Sequence, residues 1–338
     1  MKNRKLKTIL AGAVSMLAAS SAMAQDRVGA VSIFSLANEF LSSEAKLATA
    51  SLEKMGWKAL PIVEAQTSVE QQVTDINNLI AAGVTGIIID PADSAGIVPA
   101  LNAAEAAGVK VVLMDVGATG GKAFMTVRID NAEAGGVACM HMGKLLTDAG
   151  KGSGTILELQ GIMAQQAGQQ RSSGFHDCMK ANYPDLKIVS QPTDWDPSKA
   201  ADAVQTVLAS QTIDAIYMHS DCALLSGVMS SLKQAGALVS AGEANHIITG
   251  AIDGCPAALD AIRAGNLDFT VEQPLVKYGE LSAKYLDDAM NGVTYQAGEV
   301  PGNGKMVETV TGLEHILPAV LITKDTVEDP NNWGNAAK

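Results

Sequence analysis

Positive charge is scarce in this sequence. Its 24 Lys and Arg stand against 36 Asp and Glu, a formal net charge of −12, which argues against a nucleic-acid partner, because such binding needs a basic face. Cysteine is sparse too. Cys139, Cys178, Cys222 and Cys255 are spaced too widely for any zinc motif. In an oxidising compartment they allow three pairings, but in cores of this size the expectation is free, buried thiols. Long apolar runs are missing as well: beyond the first residues, Gly, Asp or Pro interrupts every stretch before the ~20 residues that a membrane-spanning helix needs.

Catalytic signatures are equally absent. There is no G-x-S-x-G elbow and no H-E-x-x-H, and His141, His176, His219, His246 and His315 are scattered without ligand spacing. The stretch GATGGK at 117–122 ends like a phosphate-binding loop, but Val116 stands where its first glycine belongs and Ala123 where Ser or Thr belongs. GKGSG at 150–154 precedes a strand, whereas a dinucleotide fingerprint follows one. No cofactor and no metal are expected. Only paired carboxylates such as Asp115 and Asp253 stay open to acid–base work.

The first 24 residues do carry a pattern. Lys2, Arg4, Lys5 and Lys7 precede a short apolar stretch and then Ala22-Met23-Ala24, the small-x-small pattern of a secretory signal peptide. Its removal takes four basic residues and no acidic ones, leaving a net charge of about −16. The expectation is a soluble exported protein.

A chain of 338 residues predicts about two domains. From residue 28, short β-branched runs alternate with helical stretches: VGAVSIF, helix 39–55, KALPIV, helix 69–82, GIIID, helix 94–107, KVVLMD. Gly83 and Gly108 follow helical stretches where a left-handed cap is needed. The rhythm restarts with GTILELQG, helix 169–181, KIVSQP, helix 198–209, AIYMHS, helix 222–235, HIITGAID, helix 256–263 and DFTVEQ. Repeated βαβ units mean parallel sheets. The predicted fold class is α/β, with two doubly wound parallel-sheet lobes. Asp90, Asp115, Asp221 and Asp253 close four of the apolar runs. Carboxyl ends of parallel strands are where such sheets bind ligands, so two facing edges predict a cleft.

LELQGIMAQQAGQQRSSGF, SQPTDWD, AIDG and TVEQP, in this order along almost the whole chain beyond the leader, resemble the periplasmic sugar-binding proteins of ABC importers, the ribose-binding proteins above all. The resemblance implies a type I periplasmic binding protein, two lobes joined by three hinge crossings and closing on one sugar. It implies a first lobe of 25–129 plus about 274–300, a second of 130–273 plus about 301–325, and a loose tail at 326–338. Asn38 and Phe40 match a hydroxyl contact and a ring-stacking residue. Asp115 matches a strand-end carboxylate, Arg171 a guanidinium fork, and Trp195 the second ring. Asp253 and Gln273 match polar groups of the second lobe and hinge, and Ser220 joins the expected ligand set at a position where the family commonly has Asn. The chemistry is reasonable, since a sugar offers C–H faces to rings and a rim of hydroxyls that need partners once desolvated.

Taken singly, these residues have ordinary readings. Phe40 and Trp195 read as core, Arg171 as surface, Asn38 and Gln273 as turn amides, and Asp115 and Asp253 equally as caps. Asp90, before Pro91 and Ser94, reads as a turn or cap and stays outside the site, and Asp221 reads as a cap for the helix near Cys222. Departures from the ribose pattern are Val116 for Arg, Ser220 for Asn and Leu41 for Phe. A buried hydroxyl left unpaired costs about 1–3 kcal/mol. The departures therefore point to a sugar alcohol or another pentose, with Arg128 as a substitute donor. The expected partners are that ligand and an ABC permease of the inner membrane, with the chain a monomer in the periplasm. The alternatives are a non-sugar or chemotactic receptor and, less favoured, an enzyme.

Overall fold

A computed structural model of the chain describes residues 26–37 and 39–336. The leader at 1–24 and Asn38 lie outside the described residues.

The chain begins with β1 (Val28–Ile33), α1 (Glu39–Lys54), β2 (Lys58–Ala59), β3 (Val63–Glu64), α2 (Val69–Ala81), β4 (Gly86–Ile89), α3 (Val98–Ala106), β5 (Lys110–Met114) and β6 (Met125–Ile129). It then crosses to a second sheet through α4 (Asn131–Asp148), β7 (Thr155–Gln160), α5 (Gln166–Asn182), β8 (Lys187–Pro192), α6 (Pro197–Ser210), β9 (Ala215–Met218), α7 (Asp221–Gln234), β10 (Ile248–Asp253), α8 (Pro256–Ala264) and β11 (Phe269–Glu272). A second crossing leads to α9 (Leu275–Met290), β12 (Gly298–Glu299), β13 (Lys305–Glu308) and β14 (Leu313–Leu317), and a third to β15 (Val320–Thr323) and α10 (Trp333–Ala336).

The first sheet runs β12-β13-β14-β6-β5-β4-β1-β2, with β3 also on β1, and the second runs β15-β11-β10-β9-β7-β8. β6, β5, β4 and β1 are parallel neighbours, as are β11, β10, β9, β7 and β8. Strands covered on both faces read as continuous apolar runs, and all four residues of β4 and of β9 are buried. The two lobes and three crossings of the sequence reading are thus present.

Several boundaries differ from expectation. KALPIV is split into β2 and β3 around Pro61, which has no N–H to give a ladder. The helix expected from 94 starts at Val98, because the Asp93 carboxylate takes the Ala95 and Gly96 N–H groups into a turn, at 2.8 and 2.5 Å. Residues 117–154, left without elements, contain β6 and α4. Segment 301–325 is divided rather than belonging to the second lobe: β13 and β14 pair within the first sheet, and only β15 joins the second. Nor is the expected loose tail at 326–338 loose over its described residues, 326–336, since Trp333 is 2% exposed and donates its indole N–H to the Asp253 carbonyl at 2.7 Å.

The glycines of α4 and α5 explain both the missed helix and its purpose. A Cβ at Gly135 would lie 2.4 Å from the Arg171 carbonyl oxygen, and one at Gly174 only 2.0 Å from that of Ala132. Glycine weakens a helix pattern, yet here it lets two helix backbones touch and seats Arg171. The cysteines correct a second expectation. Cys139 joins Cys178 between these helices, and Cys222 joins Cys255 between the starts of α7 and α8, so none of the four is a free thiol.

Gly174→Ala is expected to lower unfolding free energy by about 1–3 kcal/mol through overpacking. Gly136→Ala, whose Cβ would meet nothing within 4 Å, is expected to be neutral or to stabilise by up to about 1 kcal/mol. Denaturant titrations of the two variants measure the difference.

Candidate ligand-binding site

The carboxyl ends of the two sheets face one another across a cavity lined from both lobes. Phe34, Phe40, Leu41, Asp115 and Val116 line it from the first lobe. Gln165, Ala167, Arg171, Trp195, Ser220 and Asp253 line it from the second, with Gln273 at a crossing. The lobes touch around it: Gln165 Nε2 donates to the Pro91 carbonyl at 3.3 Å, and the Gln166 N–H to Ser94 Oγ at 3.1 Å.

Asp253, the last residue of β10, is the hub. Its Oδ1 accepts from Arg171 Nη1 at 3.1 Å and Gln273 Nε2 at 2.8 Å, and its Oδ2 accepts from the Ser220 hydroxyl. Burial pushes its pKa up, and Arg171, Ser220 and Gln273 draw it back. Gln273 is held in turn. Its Oε1 accepts from Tyr278 at 3.0 Å, and the Tyr278 oxygen accepts the Ile129 N–H at 2.7 Å. Ile129 ends β6 at the first crossing and Gln273 sits at the second, so this relay ties two crossings to the site.

Arg171 is 3% exposed and fixed from three sides. Its Nε donates to Asn131 Oδ1 at 2.8 Å, its Nη1 also reaches the His219 carbonyl, and its guanidinium lies 5.6 Å from the centroid of the Trp195 ring. His219 is held by its own ring. Nδ1 lies 3.2 Å from the Gly161 N–H and Nε2 3.0 Å from Glu158 Oε1, which assigns a neutral imidazole protonated at Nε2. Burial lowers the His219 pKa. Burial pushes Glu158 the other way, but His176 and His219 hold it well below the usual carboxylate range.

Asp115 directly follows β5 at φ 60°, while Asp253 has φ 122° and Trp195 φ 59°. Such conformations cost about 1–3 kcal/mol each and persist where surroundings over-determine them. Asp115 Oδ1 is buried and accepts no hydrogen bond. Its pKa is raised to about 6, by burial first, with Arg171 and Arg128 lowering it and Asp253 raising it. Trp195 donates to Gln165 Oε1 at 2.7 Å, and a Cβ at Gly161 would lie 1.9 Å from its ring, so only glycine leaves room for the indole. Phe40 meets Trp333 edge-on at 6.2 Å.

Seven of the eight residues singled out from the sequence therefore line one cavity, and the eighth, Asn38, lies outside the described residues. Other expectations need correction. Arg128 is no substitute donor. It is bound to Glu314 at 2.6 and 2.8 Å and does not line the cavity. Asp90 is no cap, for its buried carboxyl oxygens accept no backbone N–H. Ser220, not Asp221, caps α7 by accepting the Ala223 N–H. Asp221 instead accepts the N–H groups of Gly254 and Cys255 at 3.0 Å each, and the Thr270 hydroxyl at 2.5 Å. Phe34, Gln165, Ala167 and Trp333 were not singled out. Gln165 and Ala167 stood inside a quoted motif, but nothing local marks which amide of MAQQAGQQ turns inward.

This fold and cavity define a two-lobed clamp for a small polar ligand. The chain belongs to the periplasmic binding protein family, and residues 29–294 match the model described as periplasmic binding protein domain. It is 31% identical over 79% of its length to the ribose import binding protein of Bacillus subtilis, covering 82% of that protein. To the ribose import binding protein of Salmonella typhimurium it is 28% identical over 88% of its length, covering 96%. An ABC transporter solute binding protein from Bacillus halodurans with bound myo-inositol has a TM-score of 0.77 at 24% identity, covering 92% of this chain and 99% of that one. At that identity the likeness shows the fold. The family is one of solute-binding proteins, and the chain is a binding protein rather than an enzyme. Among the described residues no helix is long and apolar enough to cross a membrane.

Burial first and then the Asp253 charge raise the Asp221 pKa to about 8, against the lowering effect of Thr270, Gly254 and Cys255. A folded state that keeps a proton which the unfolded chain releases loses stability as pH rises toward the folded pKa. The ligand-free thermal midpoint is thus expected to fall as pH rises from about 5 to about 8 and to level off above that, with a shallower slope in Asp221→Asn. A flat wild-type profile contradicts this.

Proposed function

We propose that this chain captures a sugar or sugar alcohol, a pentose or polyol above all, and presents it to an ABC permease for import. The observation that carries the reading is the cavity wall. Aromatic rings from both lobes, Phe40 and Trp195, accompany a polar rim of Asp115, Arg171, Ser220, Asp253 and Gln273. Rings take the C–H faces of a sugar while carboxylates accept from its hydroxyls and the guanidinium donates to them. The named ligands of the similar proteins, ribose and myo-inositol, are of this chemistry. Val116 and Ser220 at positions of Arg and Asn in the ribose pattern favour a polyol or another pentose over ribose.

In this reading the chain works as a periplasmic monomer after loss of residues 1–24. The two disulfides suit an oxidising compartment. Ligand favours closure because contacts from both lobes exist together only in the closed state. Asn38 belongs to the proposed ligand set beside the seven cavity residues.

A thermal-shift screen of residues 25–338 against pentoses, hexoses, deoxysugars and sugar alcohols tests the reading. A ligand at a hundredfold excess over its Kd adds about 2.7 kcal/mol of apparent stability, and calorimetry then gives the affinity. Asp115→Ala is expected to weaken the best ligand at least tenfold. No stabilisation across the panel overturns the sugar assignment, and unchanged affinity in Asp115→Ala overturns the role of that carboxylate.

A further inference from the structure

The first-lobe wall holds more carboxylate than the network around Asp253 uses. Glu44 on α1 and Asp90 after β4 are 0% exposed, and Asp115 is 6% exposed. Both oxygens of Glu44, both of Asp90 and Oδ1 of Asp115 are buried and accept from no N–H or hydroxyl of the protein. Buried polar groups are ordinarily paired, and an unpaired charge is far costlier than an unpaired amide. Glu44 and Asp90 can pair with each other through a proton, and Oδ1 of Asp115, which lines the cavity, is the atom left calling for a partner.

Nearby cations do not supply it. Arg128 is spent on Glu314 and Arg171 on Asp253. Position 116, beside Asp115, holds Val, 2% exposed and facing the cavity, where the resembled ribose pattern carries Arg. Burial first and then the Asp115 charge raise the pKa of Asp90, burial and then the Asp90 and Asp115 charges raise that of Glu44, and the two carboxyls also interact by a hydrogen bond. Glu44, Asp90 and Asp115 thus stand close enough for their charges to act on one another. A metal does not fit, because oxygens of Glu44, Asp90 and Asp115 form no cluster within 4.8 Å among the described residues. The cavity that Asp115 lines also has Phe40, Leu41, Val116 and Trp195 in its wall, and such rings and apolar side chains suit an organic cation with an apolar face.

We propose that the ligand is a cationic polyol, an amino sugar or aminocyclitol, whose ammonium group sits against Asp115 with the Glu44–Asp90 pair behind it. This rests on the carbohydrate-binding reading and narrows it. The ammonium supplies the charge that Val116 does not, and donates to Asp115 Oδ1. The hydroxyls meet Arg171, Ser220, Asp253 and Gln273, as a neutral sugar would.

Calorimetry on residues 25–338 at pH 7.5 with matched pairs tests the inference: D-glucose against D-glucosamine, D-galactose against D-galactosamine, and myo-inositol against an inosamine, each amine also as its N-acetyl derivative. In at least one pair the amine is expected to bind tenfold or more tighter than the hydroxyl parent, with the gain lost on N-acetylation. Glu44→Gln and Asp90→Asn are expected to bring the amine-to-hydroxyl ratio toward one. If either variant fails to fold, the wild-type ratios decide alone. Neutral members binding as tightly as amines overturn this inference and leave the carbohydrate reading standing. Silence toward every member here and across the neutral panel overturns both.

Discussion

The site depends on one buried carboxylate. Asp253 is 2% exposed, and removing such a charge from water costs several kcal/mol unless hydrogen bonds replace its hydration. Arg171, Ser220 and Gln273 provide them. Each donor comes from a different part of the chain, α5, the loop before α7 and the second crossing, so satisfying Asp253 draws those parts together. Arg171 could not arrive without Gly135 and Gly174, which let α5 lie against α4. Helix packing, hinge geometry and site electrostatics therefore meet at one residue.

The same constraint explains why the backbone tolerates unfavourable torsions here. Asp115, Trp195 and Asp253 all hold positive φ. Surrounding contacts fix each of them. Asp253 has its three donors and the Trp333 indole on its carbonyl, Trp195 has Gln165 and the space left by Gly161, and the Asp115 N–H is bonded to the Val127 carbonyl at 2.9 Å. The Cys222–Cys255 bridge and Asp221 also tie the start of α7 to the turn after β10. Strand ends thus aim polar groups inward, and Tyr278 links Ile129 to Gln273 across two of the crossings.

Much of this was legible because parallel strands and amphipathic helices carry local signals. The apolar runs ending at Asp90, Asp115 and Asp253 placed the binding edge, and ordered motifs placed Arg171, Trp195 and Gln273. What was not legible is long-range. α4 was obscured by glycines whose value lies in contact with α5. Trp333, in a polar C-terminal stretch, is buried only because it reaches Glu272 and Asp253, 61 and 80 residues earlier. Disulfide pairing depends on two helix starts meeting in space, and Asp90 reads as a turn residue until Glu44, 46 positions earlier in the chain, is seen beside it.

The most direct test of this account is calorimetric titration of Asp253→Asn with the tightest carbohydrate ligand of the wild-type chain, alongside its thermal unfolding. Asparagine keeps the shape but turns one acceptor into a donor facing donors, and loses the charge that holds Arg171. The account predicts a folded protein with affinity reduced at least a hundredfold, about 2.7 kcal/mol, within the range for removing one partner of a buried charge pair. Binding at wild-type strength would contradict it.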